Sequence, residues 1–186
     1  MSLLGYHGFN NWENHFMEDE NERDNILFGF ELEAREDDSN YVENQLSPEQ
    51  VACKLGEEFG NLFVYERDSS IGGVEIISQP MTMNYYMAHI DLFKKLLKML
   101  DKMNYVSTKG NKCGLHIHFN RKALGYNSKE FETLKNKVGN LRKANNLDHE
   151  RANETISNIV SIMEVYKDEL IKISGRNQSS VNQWCS

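Results

Sequence analysis

Phe28-Gly29-Phe30-Glu31-Leu32-Glu33 is the stretch that decides how this chain is read. Side chains on a β-strand alternate between the two faces. Glu31 and Glu33 therefore share one face, and Phe30 and Leu32 share the other. Two further stretches repeat the peculiarity: Gly73-Val74-Glu75-Ile76-Ile77-Ser78 and Gly114-Leu115-His116-Ile117-His118-Phe119. His116 and His118 fall on one face, with Leu115, Ile117 and Phe119 opposite. A sheet built from these strands presents carboxylates and imidazoles on one side, with an apolar layer behind. Such a rigid platform suits a divalent-metal site.

Working outward, the segment before the first strand is polar. Residues 1–25 contain the run Glu18-Asp19-Glu20-Asn21-Glu22-Arg23-Asp24 and read as a solvated arm. Residues 26–186 read as a single domain. A helix is expected over 48–60: Ser47 caps it, Pro48 suits its first turn, Gln50 completes a capping box and Gly60 ends it. Val51, Leu55 and Phe59 line its inner face. Residues 62–67 read as a strand, 68–72 as a turn, and the Glu75 strand as the antiparallel return. A long helix over 82–104 places Ile90, Phe93, Leu97 and Leu100 on one stripe, with Lys94, Lys95, Lys98 and Lys102 on a solvated side. After the histidine strand, Asn127 and Glu130 cap a helix carrying Phe131, Leu134, Val138 and Leu141. A last helix, over 150–173, carries Ile156, Ile159, Val160, Met163, Tyr166 and Leu170. The expected class is α+β: a mixed, mostly antiparallel sheet with helices packed on its outer face.

The 186 residues carry 21 basic and 28 acidic side chains, a net charge of −7. This argues against a general nucleic-acid binder, which needs a basic face. The three cysteines, Cys53, Cys113 and Cys185, form no CxxC pair and read as reduced thiols. Cys113, beside the histidine strand, is a conceivable catalytic thiol but reads first as a packed free cysteine. No apolar run is long enough to cross a bilayer, and no secretion signal opens the chain, so a cytoplasmic protein is expected.

Each chemical reading has a plainer one beside it. Glu31 and Glu33, about 7 Å apart along a strand, repel one another unless exposed or bridged by a cation. Taken alone, they are an ordinary acidic outer face. Glu75 alone is the outward residue of an amphipathic strand. His116 and His118 are the most specific piece, since a His-x-His strand aims two imidazoles one way. Together the three strands favour Mg²⁺ or Mn²⁺ over Zn²⁺, because the donors are mainly carboxylates. Phosphate chemistry also calls for cationic side chains, for which Arg121 and Arg176 are the candidates, each equally readable as a surface charge. Lys109-Gly110-Asn111-Lys112 is too short for a phosphate-cradling loop and reads as a turn.

These blocks resemble the glutamine synthetase superfamily of carboxylate–amine ligases. Phe28–Glu33 is similar to its first active-site strand with two alternating glutamates, and Gly114–His118 to its Gly-x-His-x-His strand. Asp68-Ser69-Ser70-Ile71, then Val74-Glu75-Ile76-Ile77-Ser78-Gln79-Pro80, resembles the bacterial and phage amidoligase branch. So does the tail Ile173-Ser174-Gly175-Arg176, ending in Trp184-Cys185. The resemblance implies a glutamine synthetase-like catalytic sheet and an ATP- and Mg²⁺-dependent ligase. A small-molecule or peptide carboxylate is phosphorylated by ATP, and an amine attacks the acyl phosphate to give an amide. It implies that Glu31, Glu33, Glu75 and His116 hold the metal, that His118 and Arg176 contact the phosphates, and that Asp68 orients the amine or a metal-bound water; Arg121 joins them as a nucleotide-phosphate candidate only by its place just past the histidine strand. The family continues with further strands, including a Glu-Phe-Arg-like segment, which leaves a place for a homo-oligomer or a completing chain. Two other readings stay open: a zinc hydrolase built on the His-x-His strand, and a non-catalytic ligand-binding relative.

Overall fold

A computed structural model describes residues 3–5, 15–24, 26–107 and 113–174. Arg176, the Lys109–Lys112 segment and the Trp184-Cys185 tail lie outside them. The protein is α+β, with 55% of residues helical and 21% in strands. It divides into two compact units, residues 1–22 with 27–119 and residues 23–26 with 120–186.

The first unit is built on β1 (Leu27–Glu36), β2 (Phe63–Asp68), β3 (Gly73–Ser78), β4 (Met81–Thr82), β5 (Tyr105–Val106) and β6 (Leu115–Phe119). Every strand pairing is antiparallel. β1 is central: β3 lies along one side and β6 along the other, with β2 outside β3. The short strands β4 and β5 extend the pairing of β1 at its two ends. Long alternating segments rich in Val, Ile and Phe explain the strands. The Asp68–Gly72 turn joins β2 to β3. There Asp68 Oδ1 accepts the Ser70 N–H at 2.7 Å and the Ser70 hydroxyl at 2.6 Å.

Helices α1 (Pro48–Phe59), α2 (Met83–Ala88) and α3 (Ile90–Lys102) belong to the same unit. Ser47 and Gln50 form the expected capping box at the start of α1. The one long helix expected over 82–104 is interrupted at His89, and Thr82 caps its first part by accepting the Tyr85 N–H. The apolar backs of β1, β2 and β3 (Leu32, Ala34, Phe63, Tyr65, Val74, Ile76) pack against Val51, Leu55 and Phe59 of α1 and Phe93, Leu96 and Leu100 of α3. Leu97, expected on the stripe, is instead exposed. At 100° per residue, the spacing 93, 96, 100 holds the inner line, and Leu97 turns away from it. Aromatic rings knit the layers: Phe30 lies 6.0 Å from Phe63 and 5.9 Å from Phe93.

The lead-in is tied to the sheet at Leu4, Phe16 and Glu22, while Glu18, Asp19, Glu20 and Asn21 of its acidic run are exposed to solvent. Leu4 donates to Tyr65 O and accepts from Arg67 N, both at 2.9 Å, along the outer edge of β2. Phe16 bonds in the same way to Pro80 and Thr82. The buried Glu22 carboxylate accepts the Thr82 hydroxyl at 2.6 Å and a short bond from Asn84. Open strand edges need backbone partners, and acidic composition alone does not reveal which segment supplies them.

The second unit contains α4 (Ser128–Val138), α5 (Leu141–Val165) and α6 (Lys167–Ser174). The Asn127–Glu130 capping box forms, and Gly139, with φ 65°, ends α4 in the left-handed conformation. Leu141 therefore starts the next helix rather than extending the face of α4. Asp148 accepts the Tyr126 N–H at 2.7 Å, and the Arg151 guanidinium stacks 4.5 Å from the Tyr126 ring. Ile159, Val160, Met163, Tyr166 and Leu170, the apolar residues of the last expected helix, are exposed.

Gly73 is the tightest point of the sheet. A Cβ built there would stand 2.1 Å from Ala34 O on the neighbouring strand, so only glycine lets β3 approach β1 this closely. Gly73→Ala is expected to lower stability by roughly 1–3 kcal/mol through overpacking, read as a drop in the urea midpoint at unchanged m-value.

Candidate metal centre

The strand registers carry the two ionisable motifs onto one face. Glu33 is directly opposite Glu75, which is opposite Glu66, so three carboxylates form a row across β1, β3 and β2. In the next row Glu31 is opposite His116 on one side and Ile77 on the other. Asp68 belongs to the same face of β2 as Glu66, two residues on. Five carboxylates thus share this side of the sheet.

Glu31 is the meeting point with the histidines. Its Oε2 lies 3.1 Å from His116 Nδ1, and its Oε1 lies 3.1 Å from His118 Nε2. Burial works against ionising Glu31. The hydrogen bond from His116 and the charge and hydrogen bond of His118 outweigh it, holding the carboxyl below its ordinary pKa. Glu75 behaves in the opposite way. It is 8% exposed, and burial first, then the charges of Glu31, Asp68, Glu66 and Glu33, push its carboxyl up to about 7. Opposite shifts on neighbouring carboxylates mark a site where negative charge is crowded.

One ligand atom each from Glu31, Glu75 and His116 lie within 4.8 Å of one another. Three strands, β1, β3 and β6, therefore converge on one point, and the donor set is two carboxylates and an imidazole. Such a set fits a hard divalent cation. Three of the four residues expected to be ligands are brought together. The fourth, Glu33, is outside this group, and its Oε2 accepts the Gly114 N–H at 2.6 Å. His118 stays exposed beside Glu31, with its ring on the ligand side.

The other expected site residues are placed less centrally. Asp68 is buried and its Oδ1 is engaged by Ser70, a turn-forming role that needs no substrate. Arg121 is in the second unit, where its guanidinium makes a short bond to Asn153 Oδ1. Arg176 lies outside the described residues. Cys113 is buried and donates weakly to Val106 O at 3.8 Å. Burial, then Glu33, pushes its thiol up to about 11, which leaves it a poor nucleophile.

Glu66 is the residue that motif reading passes over. It is 2% exposed and directly opposite Glu75. The signal was present in the alternation Glu66-Arg67-Asp68, which repeats the spacing of Glu31 and Glu33. What the sequence did not give was the register that sets Glu66 in the same row.

No family model, curated protein or solved structure matches this chain in the comparisons made. Among the described residues, no helix is long and apolar enough to cross a membrane.

The Glu75 shift has a definite sign. A carboxyl whose folded pKa rises from 4.5 to about 7 favours the protonated native state. Its contribution is neutral below pH 4.5 and becomes a penalty as pH rises through that window, levelling off above 7. The penalty is of order 1–3 kcal/mol after solvent screening. In EDTA, Glu75→Gln is therefore expected to gain thermal stability relative to wild type as pH rises from 5 to 8. Equal pH profiles for the two proteins would contradict the shift.

Proposed function

We propose that the polar face of this sheet binds a divalent cation, Mg²⁺ or Mn²⁺, and that the chain works as an ATP-dependent carboxylate–amine ligase. The observation that carries the metal reading is the convergence of Glu31, Glu75 and His116 from three different strands. The ligase reading is supported by the order of the motifs around that point, a Glu-x-Glu strand, a Glu strand and a His-x-His strand. A bound divalent cation supplies charge neutralisation for a transferring phosphoryl group.

The chain's own residues take distinct parts in this reading. Glu31 and Glu75 hold the ion and give up their mutual repulsion to it. His116 completes the set and is oriented by its contact with Glu31. His118 stands at the exposed rim of the same face, where a phosphate oxygen would find a donor. Arg176 is a phosphate contact by resemblance only, and Arg121 is a candidate only by its place after the histidine strand. Asp68 shapes the turn at the end of the carboxylate face, close enough to raise Glu75, and its part in orienting an amine or water rests on the resemblance. The carboxylate and amine substrates are a small molecule or a peptide. A homo-oligomer or a completing chain belongs to the same proposal.

A zinc hydrolase is the competing reading, favoured by one observation: both imidazoles approach a single carboxylate within 3.1 Å. Calorimetric titration separates the two. The ligase reading expects a non-hydrolysable ATP analogue to bind only with Mg²⁺, and Glu31→Ala to abolish that binding. Tight Zn²⁺ binding with no nucleotide binding under any condition would overturn the ligase and favour the hydrolase.

A further inference from the structure

Glu33 alternates with Glu31 in β1, yet the two carboxylates meet different partners. Glu33 Oε2 accepts the Gly114 N–H at 2.6 Å, and the Glu33 backbone N–H donates to Gly114 O at 3.1 Å. Two bonds thus join the same two residues, one through a side chain and one through the backbone. Gly114 is the residue immediately before β6. Among the described residues β6 pairs with β1 alone, and all five of its residues are exposed. The strand that carries both histidines is therefore held to the sheet along one edge only among the described residues. Its register is chemically decisive. With Gly114 bonded to Glu33, Leu115 falls opposite Leu32 and His116 opposite Glu31. A slip of one residue would turn Leu115 and Ile117 to the ligand face and both imidazoles away from it.

We propose that Glu33 is the positioning residue of the metal centre: its carboxylate latches the start of β6 in the register that delivers His116 to Glu31 and Glu75, and it does not itself ligate that ion. The inference rests on the metal reading above. It departs from the simplest use of a Glu-x-Glu strand, in which both carboxylates are ligands. A charge-assisted bond to a backbone N–H is among the stronger hydrogen bonds. Here it adds a side-chain bond at the start of a strand otherwise held by its backbone ladder to β1. Glutamine keeps an acceptor oxygen of the same reach, so Glu33→Gln preserves the latch while removing the charge.

The test uses the full chain, with wild type, Glu33→Ala, Glu33→Gln and Glu31→Gln, and Glu66→Gln as a control for loss of one charge on the same face. In metal-free protein, amide hydrogen exchange at Gly114 and along β6 should be about tenfold faster in Glu33→Ala and return to wild type in Glu33→Gln. With Mn²⁺ as the probe, followed by its electron paramagnetic resonance, Glu33→Ala should weaken binding by about 10–100-fold. It should also lose the coupling of the bound ion to a histidine nitrogen. Glu33→Gln should lose no more affinity than Glu66→Gln and should keep that coupling. The proposal is overturned if Glu33→Gln loses as much affinity as Glu31→Gln while β6 stays protected, which makes Glu33 a ligand. It is also overturned if exchange in Glu33→Ala equals that of wild type. Failure of wild type to bind Mn²⁺ would instead sink the metal reading, and the exchange result alone would then decide whether Glu33 holds β6.

Discussion

Repulsion among carboxylates is the constraint around which this sheet is organised. Glu33, Glu75 and Glu66 face one another across three adjacent strands, an arrangement that destabilises a sheet when like charges lie directly opposite. Moving charge out of water adds to the cost. Two features make the row tolerable. Glu75 is held near neutrality by its surroundings, with a carboxyl pushed up to about 7. Behind it stands a dense apolar layer, in which Val74 and Ile76 of β3 are fully buried against α1 and α3. The hydrophobic side of the strands stabilises what the polar side opposes, and a cation on the polar side would relieve the remainder.

The division of labour between strands follows from this. The carboxylates stand on β1, β2 and β3, which are locked by helices behind them. The imidazoles stand on β6, which has only β1 for support. A site of this kind has a carboxylate half backed by helices and an imidazole half held through β1 among the described residues. Glu31 joins the two because each of its oxygens meets one histidine.

Much of this was legible from residue order. Strict alternation in Phe28–Glu33 and Leu115–Phe119 announces two-faced strands, and the polar faces name their own chemistry. Ser47 with Gln50 and Asn127 with Glu130 announce helix starts because capping is a local interaction within four residues. Register is a different matter. Nothing in Glu66 alone says that it lies opposite Glu75 rather than one row away, since register is set by turn length and by close contacts such as Gly73 against Ala34. The role of the lead-in was hidden for a similar reason. Leu4 and Phe16 pair through backbone groups, which every residue possesses, and nothing in residue order says that the Phe16 ring meets Tyr85. Leu97 and Leu96 are equally apolar, and only the position of the sheet beneath α3 chooses between them. Arg121 was placed near the histidine strand by its number in the chain. The structure gives it a partner, Asn153, that sequence distance conceals.

The pinned lead-in has a consequence for self-association. Leu4 occupies the outer edge of β2, which leaves β6 as the long strand at the opposite side of the sheet with its outer edge unpaired among the described residues. A sheet open at both sides is able to add copies without limit and grow into a fibre. A sheet open at one side is not. At Tyr65 and Arg67 the backbone groups that a further strand would need are already taken by Leu4, so edge-to-edge addition on the β2 side is opposed at that point.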